Sequence, residues 1–121
     1  MKTIRERILQ LKDMPEKWFK ELSINVVDPV EFDWAADLFN KYPEELAKPS
    51  HIVRWGSGIA LEWQLHTLYP SIEINLLTKK AELEAFKKPK YVGEDSDQFD
   101  LRDPAEWERM IQKLTEILNK E

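Results

Sequence analysis

A chain of 121 residues is the size of one domain, and a hydrophobic fraction of 42% supplies one packed core, so global disorder is excluded. The net charge of −5, with 18 scattered basic residues against 23 acidic ones, disfavours tight binding to a phosphate backbone. The absence of cysteine excludes disulfides, thiolate zinc sites and cysteine nucleophiles, and it fits a reducing compartment.

Charged residues interrupt the segment 1–12, which therefore lacks the apolar run of a signal peptide. Nowhere does the sequence contain the roughly 20 consecutive apolar residues that a membrane-spanning helix needs. We therefore expect a soluble, cytoplasmic protein that does not bind a membrane.

The first dozen residues have the pattern of a short amphipathic helix. Ile4, Ile8 and Leu11 recur at helical spacing with charged residues between them, and Pro15 interrupts the pattern. A further helical turn or two is predicted around residues 18–22, before β-branched residues change the course of the chain.

Two longer helices are predicted from one start motif, Asp-Pro-x-Glu, at residues 28–31 and 103–106. Aspartate suits the N-cap, proline suits the first helical position, and the glutamate can reach back to a free backbone N–H. The first helix should run to about Asn40, and its expected inner face is Val30, Trp34, Ala35, Leu38 and Phe39. The inner stripe expected of the second is Trp107, Met110, Ile111, Leu114, Ile117 and Leu118.

Between these helices, apolar and polar residues alternate with a period of two, which is typical of strands with one buried face. The predicted strands are residues 51–55, 59–65, 71–77 and 81–86, with residues 56–58 as a three-residue hairpin loop. The predicted fold is a single α+β domain over residues 1–121, in which helices cover one face of a four-stranded antiparallel meander.

The register of the sheet follows from placing apolar residues on one face. A three-residue loop pairs Trp55 with Ile59, so that strand 51–55 directs His51, Val53 and Trp55 inward beside Trp63. The same argument predicts an outward row made of Glu62, Asn75 and Glu84.

The outward face should also carry Glu73 and Glu82, which makes it rich in carboxylates. One interpretation is a carboxylate pair for acid–base chemistry or metal binding. The other is a solvated face that keeps the sheet soluble, and this is favoured because any one-sided antiparallel sheet displays alternating polar residues.

Residues 91–102 have weak periodicity and many acidic side chains, so we expect a surface loop there. Asp95, Asp97 and Asp100 lack the order of oxygen donors, glycine and closing glutamate of an EF-hand. A flexible acidic loop is favoured, and its functional alternative is a strip, including Glu94, that docks a basic partner.

The remaining chemistry-bearing residues do not form a known catalytic pattern. The two histidines lack metal-ligand spacing, and Ser57 between two glycines lies in a strand-to-strand turn instead of the strand-to-helix turn of a nucleophile elbow. Tryptophans are favoured in binding hot spots, and Trp55, beside the glycine loop, is the one that we expect to meet a partner.

The segment 58–63, followed by Ile72, Glu73 and Ile74, resembles a hairpin of small uncharacterised bacterial proteins that have the pattern G-G-x-x-L-E-W and then alternate Ile and Glu. Ser57 stands where those proteins have the first glycine. The resemblance covers about a quarter of the chain. It implies a bacterial or phage-like origin and a hairpin, and it assigns no functional residue.

These observations favour a non-enzymatic protein-interaction module, such as an antitoxin, immunity protein or inhibitor that presents an acidic surface to a basic target. The expected partner-binding residues are Glu62, Glu73, Glu84, Trp55, Glu94, Asp95 and Asp97. No cofactor, metal or nucleic acid is expected, and the oligomeric state is left open. The alternatives are a small enzyme or ligand-binding protein that uses the outward carboxylates, and a subunit of a larger assembly.

Overall fold

A computed structural model describes residues 3–13, 27–87 and 92–119. Its α-helices are α1 (Ile4–Gln10), α2 (Pro29–Leu38) and α3 (Pro104–Asn119), and short 3-10 turns follow the first two at Leu11–Asp13 and Phe39–Lys41. Its strands are β1 (His51–Trp55), β2 (Gly58–Glu62), β3 (Leu68–Asn75), β4 (Lys80–Lys87) and β5 (Val92–Asp100). The helical turn predicted around residues 18–22 lies outside the described residues.

The five strands form one antiparallel sheet in the order β1-β2-β3-β4-β5. The predicted α+β class and antiparallel meander are confirmed, but the prediction of four strands is wrong. The acidic segment 92–100 is not a loop, because it pairs with β4 along nearly its whole length. Backbone hydrogen bonds to a neighbouring strand outweigh the low strand propensity of aspartate and glycine, which depends strongly on context.

The predicted aspartate caps are confirmed, whereas the carboxylate of Glu31 binds Lys79 instead of reaching back to the start of its helix. The side chain of Asp28 accepts a hydrogen bond from the backbone N–H of Val30, and that of Asp103 accepts one from Ala105. At the start of α1, Thr3 and Glu6 form a reciprocal capping box. Within the described residues, no helix is long and apolar enough to cross a membrane.

The first hairpin has a two-residue turn, Gly56 and Ser57, instead of the predicted three-residue loop. Trp55 consequently pairs with Gly58 instead of Ile59, and Val53 pairs with Ala60. Gly56 has a φ of 55°, as the first central residue of a type II′ hairpin turn requires.

This change of one residue reverses the two faces of β1. His51, Val53 and Trp55 are exposed, so the prediction that they point inward is wrong. Ile52 and Arg54 are half-buried instead.

The core lies between the inner face of the sheet and the helices. Helix α3 buries Trp107, Met110, Leu114 and Ile117, as predicted. The inner face predicted for α2 is only partly correct. Val30 is 55% exposed, and Phe32 is buried in its place beneath the Arg54 guanidinium, which lies 4.7 Å from the centre of the ring.

Trp63 lies just after β2 and is 1% exposed, whereas the neighbouring Glu62 is exposed, as predicted. The indole Nε1–H of Trp63 donates a hydrogen bond of 2.8 Å to the carbonyl oxygen of Ala47. The hydroxyl of Tyr42 donates to the same oxygen at 2.5 Å. Burial raises the pKa of Tyr42 to about 12, so this hydroxyl keeps its proton. Trp63 therefore attaches the segment between α2 and β1 to the sheet, and Tyr42 closes a bend within that segment.

Candidate functional site

The outer face is the side of the sheet opposite the core, and its side chains form rows that run across the strands. The row nearest the first hairpin contains Trp55, Gly58, Asn75, Lys80 and Asp100. The middle row contains Val53, Ala60, Glu73, Glu82 and Gln98. The third row contains His51, Glu62, Ser71 and Glu84.

The predicted outward row of Glu62, Asn75 and Glu84 is therefore wrong in its centre. Glu62 and Glu84 do share a row, but Ser71 lies between them. Asn75 lies at the end of β3, where its side-chain oxygen accepts hydrogen bonds from the backbone N–H groups of Leu77 and Thr78 at 2.8 and 3.1 Å. Asn75 thus shapes the β3–β4 turn.

Four glutamates cluster in the middle and third rows, on three adjacent strands. Glu73 on β3 lies directly opposite Glu82 on β4, and Glu82 is hydrogen-bonded to Glu84 two residues along the same strand. Like charges directly opposite each other on paired strands are destabilising. The cluster therefore has a free-energy cost when all of its carboxylates are ionised.

The pKa values of this cluster reflect that cost. The hydrogen bond that the protonated carboxyl of Glu84 donates to Glu82, together with burial and the charges of Glu82 and Glu73, raises the pKa of Glu84 to about 7. Burial and the charges of Glu82 and Glu62 also raise the pKa of Glu73. Glu84 is therefore only partly ionised near neutral pH, and its charge changes with pH in that range.

Within the described residues, two depressions of the outer face share Glu73 in their linings. One has a volume of about 430 Å³ and lies at the hairpin end, where Trp55, Gly58, Lys80 and Glu82 also line it. The other, of about 350 Å³, lies at the opposite end between Glu62 and Tyr69. The outer face is thus a shallow acidic trough with an aromatic residue at each end.

Trp55 is 62% exposed and Val53 is 39% exposed, and both project from β1 on the outer face. Exposed large apolar side chains that lie side by side are a feature of interaction surfaces. Because the two-residue turn sets the register of β1, these side chains join the glutamates on one surface.

Asp97 has a different environment from the other predicted site residues. Its carboxylate lies 3.1 Å from Arg109 Nη1 and 3.3 Å from Lys113 Nζ, both on α3. Partial burial acts to raise the pKa of Asp97, but the hydrogen bond from Lys113 and the charge of Arg109 outweigh it and lower the pKa. Asp97 therefore attaches α3 to β5. The side chains of Glu94 and Asp95 lie outside the described part of the structure.

Sequence patterning placed the glutamates on the outer face but missed the opposition of Glu73 and Glu82. The register between β3 and β4 brings these two glutamates opposite each other. The only sign of the cluster in the sequence was the alternation of Glu82 and Glu84 along β4, which places both on one face. Within residues 3–13, 27–87 and 92–119, no three histidine or acidic side chains are arranged to hold a metal ion.

The raised pKa of Glu84 predicts that the protein becomes less stable as pH rises through neutrality. Between about pH 4.5, the ordinary value, and about pH 7, the native state binds more protons than the unfolded chain. This contribution is complete below the ordinary pKa and is lost as pH rises through 7. Urea unfolding between pH ~5 and ~8 should show a falling midpoint, and Glu84→Gln should flatten the decline.

Glu108→Gln, on the exposed side of α3, is the matched control and should keep the wild-type slope. Asp100 does not interfere in this range, because its hydrogen bonds from Arg102 lower its pKa to about 2. Its stabilising contribution is lost only as pH falls towards that value. A wild-type midpoint that rises or stays constant over the same range would contradict the assignment.

Comparison with protein-family models, with curated proteins and with solved structures found no match. The resemblance to small bacterial proteins with a similar hairpin therefore stays a prediction.

Proposed function

We propose that this protein is a non-enzymatic interaction module that docks its outer sheet face onto a basic surface of another protein. The observation that carries the proposal is the cluster of Glu62, Glu73, Glu82 and Glu84 beside exposed Trp55. A basic partner would offset the repulsion between these carboxylates. Complementary charge also accelerates association and suppresses binding to wrong partners.

The composition of the face supports docking of a protein. Interfaces are enriched in exposed aromatic residues that serve as anchors, and Trp55 and Val53 supply apolar area next to the charges. Proteins also retain destabilising arrangements where function requires them. The opposed pair of Glu73 and Glu82 is such a destabilising arrangement. A neutral residue at either position would remove the repulsion, so we propose that the pair is kept for binding.

An antitoxin, immunity protein or inhibitor is the class that we propose, because such a protein covers the basic surface of its target. A basic surface that binds nucleic acid recognises closely spaced negative charges. A sheet with four carboxylates on three neighbouring strands could occupy such a basic surface in place of the phosphate backbone of a nucleic acid. We infer a bacterial, cytoplasmic setting from the hairpin resemblance and the cysteine-free sequence, and no direct binding of nucleic acid is proposed.

The test is a comparison of two variants that each replace four glutamates, and so lose four formal negative charges from a formal total of −5. In the face variant, glutamines replace Glu62, Glu73, Glu82 and Glu84. In the control variant, glutamines replace four exposed glutamates elsewhere, namely Glu44, Glu45, Glu108 and Glu116. Because the face variant removes like-charge repulsion, we expect it to fold and to be at least as stable as the wild type.

Immobilised wild type should capture a basic partner from a bacterial lysate at ~50 mM salt and, more weakly, at ~150 mM salt. Calorimetry with the purified partner should give a Kd at least about tenfold higher for the face variant and an almost unchanged Kd for the control variant. Equal loss of affinity in both variants would mean that net charge, not this face, drives binding. Failure to capture a stoichiometric partner at either salt concentration would contradict the proposal.

A small enzyme or ligand-binding protein is the second candidate, and the raised pKa of Glu84 favours it. A carboxyl group with a pKa of about 7 can both donate and accept a proton near neutral pH, as general acid–base catalysis requires. The volumes of about 430 and 350 Å³ are also large enough for a small molecule. A thermal-shift screen of metabolites and metals separates the two candidates, since a specific small ligand stabilises the native state.

A further inference from the structure

The depression at the hairpin end of the outer face, here called the Trp55 groove, has the chemistry to hold one basic side chain. We propose that the Trp55 groove receives an arginine of the partner, with the guanidinium between the Trp55 indole and the carboxylates of Glu73 and Glu82. This inference rests on the proposed function, because it names the anchoring contact within the docking face.

The shape of the groove follows from the small residues of β2. Gly58 and Ala60 occupy the outer face of this strand, between Trp55 and Val53 on β1 and Asn75 and Glu73 on β3. Adjacent strands lie about 4.8 Å apart, so β1 and β3 are separated by about 10 Å. A gap of this width, with almost no side chains on its floor, accommodates one flat side chain.

The charges of the groove are complementary to a cation. Glu73 and Glu82 lie opposite each other at its far side, and within the described residues no side chain forms an ion pair with Glu73. Lys80 also lines the groove, but it lies opposite Asp100 and its charge helps to lower the pKa of that residue. A cation placed between the two glutamates would turn their repulsion into two attractive contacts.

The exposed indole favours arginine over other cations. A cation over the face of tryptophan is stabilised by the ring electrons, and arginine is the more frequent partner in proteins. Its planar guanidinium can stack on an aromatic face while its N–H groups donate to carboxylates, whereas the lysine ammonium is a compact and strongly hydrated charge. Among the described residues, the Arg54 and Arg109 guanidinium groups lie 4.7 and 4.3 Å from the ring centres of Phe32 and Phe99. The Lys79 ammonium lies 4.5 Å from the centre of the Trp34 ring, so the fold also places a lysine over a tryptophan.

The probe is a peptide of four Gly-Arg repeats, compared with the same peptide in which neutral citrulline replaces arginine. NMR spectra of the ¹⁵N-labelled protein follow the indole N–H of Trp55, which is identified by its absence in Trp55→Phe. We expect the arginine peptide to shift this signal and the citrulline peptide to leave it unchanged. The 62% exposure of Trp55 means that substitutions there should leave the fold intact, which urea unfolding verifies.

Trp55→Leu keeps apolar area but removes the aromatic ring, and it should weaken binding of the arginine peptide by about fivefold, whereas Trp55→Phe should weaken it less. Glu73→Gln inside the groove should weaken binding more than Glu62→Gln, which removes the same charge from a neighbouring row. Equal affinities for wild type and Trp55→Leu, together with weakening by both glutamate substitutions, would overturn the groove and leave the acidic docking face in place. Absence of any binding by the wild type would overturn the groove, and the capture experiment would then decide the docking face separately.

Discussion

Replacing Trp63 with alanine should lower the free energy of unfolding by about 4 kcal/mol. Trp63 is 1% exposed, so the substitution leaves a large cavity under the sheet. It also removes one of the two hydrogen bonds that Ala47 O accepts, the other coming from Tyr42. Urea unfolding measured by circular dichroism at constant pH gives the change directly.

Trp63→Phe is the matched control, because it retains most of the buried ring but cannot donate to Ala47. We expect it to cost less than half as much as Trp63→Ala, since one hydrogen bond contributes about 1 kcal/mol and the residual cavity is smaller. Similar losses in the two variants would mean that the hydrogen bond to Ala47, and not the packing, dominates. A loss below about 1.5 kcal/mol for Trp63→Ala would contradict the buried position of the side chain.

Replacing Gly58 with alanine should lower the free energy of unfolding by about 3 kcal/mol. A Cβ atom at this position would overlap the carbonyl oxygen of Ile74 and lie 2.8 Å from its carbon. Both atoms belong to the backbone of β3, so no rotation of a side chain can relieve the overlap. The hairpin can accept the methyl group only if β2 and β3 move apart, which breaks their hydrogen bonds.

Gly56→Ala is the control for Gly58→Ala, since the two glycines are required for different reasons. Gly56 has a φ of 55°, but a Cβ atom there would have no neighbour within 4 Å. Its substitution should therefore cost only the strain of a left-handed backbone, about 1 kcal/mol. If Gly56→Ala proved the more harmful of the two in urea unfolding, the close approach of β2 to β3 would be wrong.

The Gly58 prediction also bears on function, because this glycine lies on the floor of the Trp55 groove. The pairing of β2 with β3 leaves no room for a side chain at position 58. The absence of a side chain there leaves a gap beside Trp55, and this gap is the space in which we place the partner's arginine. The same residue thus has a structural requirement and a functional consequence. The effect on stability can be separated from the effect on binding, because the substitutions at Trp55 change the groove without changing the backbone.

Local chemistry was sufficient to predict the helices. The Asp-Pro-x-Glu starts act through neighbouring atoms, since Asp28 and Asp103 bond to backbone N–H groups two residues ahead. The stripe of α3 was also predictable, because its apolar residues repeat at the helical period. The inner face of α2 was harder to predict. Val30 lies at helical spacing from Trp34 but is exposed, whereas the buried residues are Phe32, Ala35 and Ala36.

The strand β5 was missed because its sequence carries little apolar alternation. Its stability comes from contacts between distant residues, namely pairing with β4 and the attachment of Asp97 to Arg109 and Lys113 of α3. A window of neighbouring residues contains neither contact. The candidate site was predicted only in part for the same reason. The sequence assigned Glu62, Glu73, Glu82 and Glu84 to the outer face, but it did not predict which of these residues lie opposite each other on paired strands.

The sequence by itself determined the α+β class, the starts of the helices and the opposite orientations of Glu62 and Trp63, because each depends on backbone period or on atoms a few residues apart. The tertiary structure alone decided that Glu73 faces Glu82, that Trp55 joins them on the outer face and that a fifth strand completes the sheet. Those features depend on register, and a change of one residue in a hairpin turn exchanges the two faces of a strand.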